Sequence, residues 1–518
     1  MPPIKGGTWP PPPIAALFVV VFDHRKGYVL QWHRNLANVQ VEGVVEFKSL
    51  PSGLHRVHED VIYFVHGNYV GVSAYVNRPD TTAQRDARML AVGVLVPLHH
   101  GRMGKSWLHA ERLKQLATEQ INNHRDGNTS VQSLEGYWQE HRVVGVNNGY
   151  QANNHRVMSA LSVFIPDAAV HPLPPHHPAA ALLEMVTLFG PLIFPLYRAA
   201  LLRKRILLLT DAPVEFACSM VYNLSVLSSL PTPLLAYLPG AGAAPRASLL
   251  RRVPTLFNVG ITDIDDLSQR SSFADGWIAC TTDEVLATKP QLYDIAVYLP
   301  NKDSSLAGQK KTYPRIVLSS GGEDAAKQRL PQTHPPSWSR VAYTSLLWWA
   351  SAGDRRSGLT ADEEEEEMER DSLLFDIRDD GDGRTKEVVL VAYFRRLTAI
   401  LFQTRPDGWQ SKDSRPEENS DDTTASANHS HHSIEHHHQP SFTEDDQTRP
   451  LLLRKSLDLG DDYDDDTLIF TPDDISAMGL DSWSRNDSDF VEELLRVWWK
   501  RNATVRSARV ECCGLRIL

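Results

Sequence analysis

The sequence is poor in cysteine, with four in 518 residues. This number is too small for a disulfide framework, and it favours a protein of a reducing compartment. Two of the four, Cys218 and Cys280, lie in apolar runs. Both are predicted to be buried thiols, because free cysteine packs as a small hydrophobic residue.

Long apolar runs are also scarce. The run at residues 14–22 has nine residues, whereas a membrane-spanning helix needs about 20. The stretch at residues 179–202 is long enough, but a carboxylate, two prolines and an arginine interrupt it (Glu184, Pro191, Pro195, Arg198). We expect a core helix, a break and a second short helix there. The predicted location is cytoplasmic, with peripheral association with an intracellular membrane left open.

The sequence has fewer basic than acidic residues, and its formal net charge is −11. This argues against a nucleic-acid partner, because binding that is driven by phosphate neutralisation needs a positive surface. The negative charge is unevenly distributed along the chain. Residues 359–383 hold 12 acidic and 2 basic residues and residues 411–490 hold 20 and 6, which leaves a net +13 on the other 413. This mildly basic body suits an acidic partner or an anionic membrane.

Two polar stretches are predicted to be insertions. Residues 351–384 form an acidic linker, and residues 403–450, which include a histidine-rich tract, form a disordered insertion. Both lack the apolar surface that is needed to offset the entropy of ordering. Limited proteolysis should therefore cut first within residues 359–383 and 403–450.

The common catalytic templates are missing. The sequence has no phosphate-binding P-loop, no dinucleotide-binding glycine motif after a strand and no Gly-x-Ser-x-Gly elbow. The histidine tract lacks the cysteines and the defined ligand geometry that are typical of zinc sites. A partial calcium-loop pattern at residues 376–387 has Arg378 where a carboxylate is required. We therefore expect no metal and no cofactor, and no residue is predicted to be catalytic.

The first 150 residues contain several apolar runs that are typical of β-strands. Residues 14–22 and 28–32 flank a polar turn that ends in Gly27, which predicts a β-hairpin. Residues 61–65 and 69–76 predict a second hairpin, and residues 89–98 a further strand. A helix is predicted over residues 107–123, where apolar residues recur at close to the helical period. The spacing predicts a strand-first α/β unit over residues 1–150.

The middle of the chain, residues 155–350, alternates short apolar runs with helical patterns. Strands are predicted at residues 205–210, 234–238 and 277–281, and a helix at residues 214–228. This alternation is typical of a parallel or mixed sheet, so the predicted fold class is α/β.

The last part of the chain is predicted to be helical, over residues 385–402 and 450–518. A helix is expected at residues 387–402 and another at residues 489–500, opened by a capping box of Asp489 and Glu492. The stripe Phe490, Leu494 and Trp498 on the second helix is expected to pack on the first.

Four stretches, in order along the chain, carry a resemblance to a known family. The first hairpin has the pattern Phe22, Asp23 and Gly27. Residues 182–231 place a Gly-Pro, a basic triplet, a Pro-Val-Glu and a Leu-Pro in sequence (190–191, 203–205, 213–215, 230–231). A third block spaces five residues over 273–300 (Asp283, Leu286, Lys289, Tyr293, Asp294). The chain closes near a Cys-Cys-Gly-Leu-Arg stretch. Together these stretches resemble the DENN-domain proteins of the LCHN family, in its fungal branch.

The resemblance implies an architecture and a function. It implies a longin-like N-terminal lobe, a central α/β DENN lobe and a C-terminal helical lobe, with the acidic and histidine-rich insertions unmatched. It also implies guanine-nucleotide exchange on a Rab-type small GTPase in vesicle trafficking. The GTPase would lie between the first two lobes, against residues 14–32 and the helices after Arg205. The alternative is a trafficking adaptor or tether that keeps the fold and binds a small GTPase without exchange.

The adjacent Cys512 and Cys513 leave two interpretations open. They lie among arginines near an apolar chain end, which suits reversible S-palmitoylation, and two acyl chains would anchor the protein stably. No cysteine is fourth from the end, so prenylation is not indicated. The other interpretation is a pair of buried thiols on a short terminal strand.

Overall fold

The computed structural model describes twelve ranges of the chain: 10–79, 87–125, 131–143, 173–174, 176–239, 252–270, 276–300, 313–319, 386–405, 467–506, 511–512 and 515–516. These ranges form an N-terminal segment (10–143), a central segment (173–319) and a C-terminal segment (386–516). The acidic linker, nearly all of the predicted 403–450 insertion and Cys513 lie outside the described residues, so the predictions of disorder there remain predictions.

Five antiparallel strands form the N-terminal part of the sheet. They are β1 (Ala16–Asp23), β2 (Gly27–Asn35), β3 (Glu59–His66), β4 (Tyr69–Pro79) and β5 (Ala87–Pro97), in the order β3-β4-β5-β1-β2. Both predicted hairpins are confirmed. The β1–β2 turn ends at Gly27, whose φ of +79° lies in the left-handed region that glycine adopts without strain.

Three α-helices and a longer 3₁₀ stretch accompany these strands. The helices are α1 (Val45–Ser49), α2 (Ala110–Arg125) and α3 (Gln132–His141). The helix predicted from residue 107 begins at Ala110, because residues Arg102–His109 form 3₁₀ turns with left-handed backbone at Met103, Gly104 and Lys105. The apolar face of α2, which includes Leu113 and Leu116, is buried in the core.

Five short strands continue the sheet in the central segment. They are β6 (Ile206–Leu209), β7 (Thr255–Asn258), β8 (Ile278–Thr281), β9 (Ile295–Tyr298) and β10 (Arg315–Leu318), in the order β10-β9-β6-β8-β7. Strands β9, β6, β8 and β7 are parallel, and β10 is antiparallel to β9. Because β7 pairs with β3, the described strands of both segments form one mixed ten-stranded sheet. The predicted α/β class is confirmed.

The central helices are α4 (Leu182–Phe189), α5 (Ile193–Leu201), α6 (Glu215–Leu227), α7 (Ile264–Gln269) and α8 (Glu284–Ala287). Residues 178–201 are the one stretch of the described residues that is long and apolar enough to cross a membrane. The expected break is present, since a 3₁₀ turn at Gly190–Leu192 separates α4 from α5. Both helices bury apolar side chains in the core, among them Met185 and Leu196.

The prediction of a strand at residues 234–238 is wrong. Residues Thr232–Tyr237 form a 3₁₀ helix with a proline in its first turn. Pro231 and Pro233 fix their φ angles and have no N–H to donate to a neighbouring strand, so they disfavour a place in the sheet.

The C-terminal segment contains α9 (Lys386–Gln403), α10 (Pro472–Ala477) and α11 (Arg485–Trp499). Four short strands accompany them: β11 (Leu468–Phe470) parallel to β12 (Ala503–Val505), and β13 (Glu511–Cys512) antiparallel to β14 (Leu515–Arg516). The predicted helix over 387–402 is confirmed. The sequence predicts a helical segment here, but the four strands show that the segment also contains β structure.

The predicted start of the last helix is wrong. The helix α11 begins at Arg485, and Ser484 rather than Asp489 caps it, since its Oγ accepts a hydrogen bond from the backbone N–H of Asp487 (3.3 Å). The expected packing on α9 is confirmed for Trp498, whose ring centroid lies 5.3 Å from that of Phe402. Phe490, by contrast, lies beneath the guanidinium of Arg198 on α5.

Candidate functional site

The N-terminal and central segments meet in the sheet at a narrow seam. Among the described residues, one pair, Phe64 and Phe257, joins β3 to β7. Phe257 has a φ of +58°, and the register of β7 against β8 shifts between Thr255 and Phe257. A left-handed phenylalanine is a costly backbone state that the surrounding structure must hold. The two halves of the sheet are therefore joined by little strand pairing at this point.

A cleft of about 430 Å³ opens beside this seam. Its lining comes from both segments: residues 43–67 of the N-terminal segment form one wall, and residues 256–270 of the central segment form the other. The charged or titratable residues of the lining are Lys48, His66, Asp263, Asp266 and Arg270. The cleft is thus a shared and largely polar feature of the two segments.

An ion pair crosses the cleft. Lys48 Nζ on α1 lies 2.5 Å from Asp263 Oδ1 and also donates a hydrogen bond to the carbonyl of Val65 (3.1 Å). The other oxygen of Asp263 accepts a hydrogen bond from the backbone N–H of Gly260 (3.0 Å), just before α7. Lys48 is half-buried and Asp263 is buried, so solvent screens the pair less than it would an exposed pair. The pair ties α1 to the start of α7.

The cationic side of the cleft also affects a neighbouring histidine. Partial burial lowers the pKa of His66 below its ordinary value, and the charge of Lys48 lowers it further. His66 is therefore mainly neutral at pH 7.

A second polar tie lies at the rim of the cleft. Ser52 Oγ donates a hydrogen bond to Asp283 Oδ1 (2.5 Å), and the other oxygen of Asp283 accepts one from the backbone N–H of Ile261 (3.2 Å). Burial, and secondarily the charge of Asp283, raises the pKa of Tyr28. Asp283 thereby brings Ser52 and Tyr28 of the N-terminal segment close to Ile261 of the central segment.

Large apolar side chains stand exposed around this tie. Phe47 on α1 is 44% exposed, Ile261 is 53% exposed and Val285 on α8 is 45% exposed. The ring of Phe47 lies edge-on to that of Tyr28, with centroids 6.2 Å apart. Each of these side chains is close in sequence to one of the two polar ties. Phe47 precedes Lys48, and Ile261 is two residues before Asp263, the partner of Lys48. Val285 is two residues after Asp283. We call Tyr28, Phe47, Ile261 and Val285 the apolar rim.

A buried carboxylate also ties the two segments together. Asp60 on β3 accepts hydrogen bonds from the backbone N–H groups of Val214 (2.7 Å) and Glu215 (3.1 Å) at the start of α6. It therefore satisfies N–H groups that a helix start leaves unbonded, from another segment of the chain. Burial raises the pKa of Asp60 to about 6, although the hydrogen bonds from the backbone oppose this shift.

The residues singled out in the sequence have a limited place in this arrangement. Cys218 and Cys280 are confirmed as buried thiols, with their Sγ atoms 3.6 Å apart between α6 and β8. Cys512 lies in β13, far in sequence from the cleft, and its acylation stays a prediction together with that of Cys513. Among the described residues, no group of three His, Cys, Asp or Glu side chains could hold a metal ion.

Sequence reasoning missed the residues of the cleft itself. The pair Lys48–Asp263 joins residues 215 positions apart, which no local pattern reveals. Asp60 had a detectable signal, because it is an acidic residue directly before five apolar residues of a strand, and a buried carboxylate needs partners. Asp263 had another, since its position three residues after Gly260 is where an acidic residue caps a helical turn.

Comparison with known proteins places the chain in a family. A family model described as DENN domain-containing protein 11 matches residues 17–309, which is more than half of the chain. The chain belongs to the DENN domain-containing protein 11 family. The matched range holds the ten-stranded sheet's strands β2 to β9, the cleft and the apolar rim. A second model, described as a domain of unknown function (DUF4484), matches residues 333–518.

Several curated relatives support this placement. The chain is 33% identical to DENN domain-containing protein 11 of Xenopus laevis over 295 residues, which are 56% of this chain and 60% of that protein. It is 31% identical to the Danio rerio protein of the same name, over 62% of this chain and 60% of that protein. The uncharacterized protein ANR2 of Saccharomyces cerevisiae is 24% identical over 66% of this chain and 73% of its own length. The chain thus spans about three fifths of the vertebrate relatives.

Proposed function

We propose that the protein is a guanine-nucleotide exchange factor for a Rab-type small GTPase in vesicle trafficking, and that the GTPase docks on the apolar rim beside the cleft. The observation that carries this proposal is the rim itself. Phe47 of one segment and Ile261 and Val285 of the other are large apolar side chains that remain about half exposed. Large exposed apolar side chains on both sides of a polar junction favour a binding surface there.

The position of the rim supports a partner that contacts both segments. Its residues come from β2, α1, the loop before α7, and α8. The family resemblance implies a GTPase held between the longin-like and central lobes, and the rim lies where the corresponding segments of this chain meet. The mildly basic charge of the body suits an acidic face of the partner.

Exchange of this kind requires binding energy rather than covalent chemistry from the factor. A protein that binds the nucleotide-free GTPase more tightly than the nucleotide-bound form shifts the equilibrium towards the free form and speeds GDP release. Lys48, Asp263 and the rim residues would then act by contact and positioning. None of them needs to donate or accept a proton.

The decisive experiment measures release of a fluorescent GDP analogue from a panel of purified Rab-type GTPases. We expect the full chain to accelerate release from at least one of them. Val285→Glu should slow the accelerated rate at least tenfold, because losing about 1.4 kcal/mol of binding corresponds to a factor of ten. The matched control is Val317→Glu on β10, an exposed valine on the opposite edge of the central strands, which should keep the wild-type rate.

The alternative function, an adaptor or tether, gives a different result in the same experiment. Stable binding to one GTPase without faster release would replace exchange by tethering. If the two valine variants lose the same activity, or neither loses any, the apolar rim is not the docking surface.

The proposal extends to location and to the narrower family branch. We propose a cytoplasmic protein of the LCHN branch that attaches peripherally to an intracellular membrane, with the basic body, Cys512 and Cys513 as the candidate contacts. Capture of acylated protein on thiol-reactive resin, for wild type and a Cys512→Ser/Cys513→Ser variant, tests the cysteines. Equal capture of the two proteins would leave recruitment to the basic body or to the GTPase.

A further inference from the structure

One histidine connects the N-terminal and central segments through both of its ring nitrogens. His176 Nε2 lies 3.1 Å from Oε2 of Glu111 on α2, and Nδ1 lies 3.2 Å from Oε1 of Glu215 on α6. A neutral imidazole has a single N–H and can donate to only one carboxylate. Two hydrogen bonds to two carboxylates therefore require the imidazolium form.

We propose that protonated His176 is a pH-dependent tie that fixes α6 against α2 and so holds the two halves of the GTPase docking surface in register. The last clause rests on the proposed function; the tie itself does not. The histidine acts as a positioning residue, since it contacts two carboxylates and is not one of the rim residues.

The backbone around His176 is firmly held. His176 has a φ of +58°, a conformation that a side-chain-bearing residue adopts only where its surroundings impose it. The next residue, His177, is buried, and its Nδ1 accepts a hydrogen bond from the backbone N–H of Ala179 (3.1 Å). Its ring also lies against Trp107 of the N-terminal segment (4.6 Å) and Tyr222 of α6 (5.8 Å). The ring of His176 is therefore presented at a fixed place between the two carboxylates.

The charges that face His176 favour its protonated form on balance. Glu215 on α6 and Glu111 on α2 are anionic partners, whereas Lys114 on α2 and partial burial oppose protonation. Asp60 on β3 also interacts with Glu215. Its carboxylate accepts a hydrogen bond from the backbone N–H of Glu215, and the charge of the Glu215 side chain raises the pKa of Asp60. The hydrogen bond to Glu215, with that to Glu111, raises the pKa of His176 above its ordinary value of 6.5.

The sign of the pH dependence follows from this direction. A histidine whose pKa is higher in the folded than in the unfolded protein stabilises the fold fully below the unfolded value. That stabilisation is lost as the pH rises through the folded value. The tie is therefore strongest below pH 6.5 and weakens as the pH rises above this value. Asp60, whose pKa is about 6, also titrates near the lower end of this range, so the pH dependence of His176 is best followed from pH 7 upwards.

The first test is independent of any GTPase. In the full chain, the NMR titration of His176 should give a pKa above the ordinary histidine value of about 6.5, and Glu111→Gln should lower it. Hydrogen exchange of the first turn of α6, corrected for intrinsic pH effects, should become faster between pH 7 and pH 8.5 in wild type. His176→Gln should remove this change, and the matched control His55→Gln should retain it. A His176 pKa at or below about 6.5, or an unchanged hydrogen-exchange profile in His176→Gln, overturns the tie.

The second test separates the tie from the docking function. With a GTPase that binds the wild type, affinity for the nucleotide-free form should fall several-fold from pH 7 to pH 8.5, and His176→Gln should show the weaker affinity at both. If the hydrogen-exchange profile of α6 depends on His176 but the affinity for the GTPase does not, the tie stands and its link to docking fails. If no GTPase binds at any pH, the proposed function fails while the tie is still decided by the first test.

Discussion

The central segment contacts its two neighbours in different ways. Towards the C-terminal segment it presents stacked aromatic rings: Phe194 and Tyr197 of α5 pack on Phe394 of α9, at centroid distances of 5.7 and 5.0 Å. Towards the N-terminal segment it shares an apolar core beneath α6, but at the edge of that junction lie an open cleft, an ion pair and one strand pairing. Among the described residues, stacked rings fill the first interface, and we call it the closed interface; the second has an open cleft at its edge.

The polar groups of the two interfaces serve different ends. In the C-terminal interface they complete the packing: Trp498 Nε1 donates to the carbonyl of Leu201 (3.0 Å), and Arg198 pairs with the buried Asp487 (2.6 Å). At the N-terminal junction, Lys48 and Asp263 line a space large enough for solvent or a partner side chain. A closed apolar interface resists separation, whereas a junction with polar ties and a cleft has weaker contacts to rearrange.

This contrast predicts the largest loss of stability in the closed interface. Leu494 on α11 is fully buried, so Leu494→Asp would place an unpaired charge in the core. We expect a loss of about 3–5 kcal/mol in the free energy of unfolding, since an uncompensated buried charge costs this much. Denaturant unfolding of the full chain measures it.

The control for this substitution is on the same helix. Arg496 is exposed on α11, so Arg496→Asp introduces the same side chain in water and should cost well under about 1 kcal/mol. Equal stability of Leu494→Asp and wild type would mean that α11 does not pack in solution as it does here, and the contrast between the two interfaces would be lost.

The next effect concerns Asp60 at the N-terminal junction and depends on pH. Its pKa is raised to about 6 from a model-compound value of 3.8, so between these values the folded protein holds a proton that the unfolded chain has released. The stability therefore falls as the pH rises through this window, by at most about 1.4 kcal/mol per pH unit. Asp60→Asn has no proton to hold and should remove that part of the slope.

Urea unfolding at several pH values between 4 and 6.5 checks this prediction. The matched control is Asp266→Asn, an exposed carboxylate beside Arg270 on α7, which should leave the wild-type slope in place. A slope that is the same in wild type and Asp60→Asn would show that Asp60 is ionised throughout, and that it is not a buried cap on α6.

Part of this architecture was predictable from sequence because its causes are local. The two hairpins have turn residues between alternating apolar runs, and α9 has a helical stripe, so both were predicted. The strands β7, β9 and β10 were missed, whereas β6 and β8, which are equally short, were predicted; runs of four residues are too short to give a consistent signal. The start of α11 was misplaced because residues 484–489 are all polar and offer more than one capping residue, among them Ser484 and Asp489.

The candidate site was the least predictable part for a related reason. Each tie across the junction joins residues that are far apart in sequence, such as Ser52 with Asp283 and Lys48 with Asp263. Their side chains are ordinary on their own, and their role arises only when the sheet brings α1 beside α7. The family resemblance indicated which lobes would meet, but not which residues would meet there.

The smallest expected effect is the strength of the ion pair in the cleft. A double-mutant cycle with Lys48→Met and Asp263→Asn should give a coupling energy of about 1 kcal/mol, because the pair is largely buried yet borders the cleft. The matched cycle with Arg112→Met and Glu119→Gln should give about 0.3 kcal/mol, because that pair is exposed on α2, away from the cleft. Both couplings, measured by urea unfolding at low and high salt, should shrink with salt, and the exposed pair should shrink by the larger fraction. If the two cycles give equal couplings, the cleft is as wet as the protein surface. The Lys48–Asp263 pair would then not hold α1 against α7, and the rim residues on the two segments would depend on the core beneath α6 and on Asp283 for their alignment.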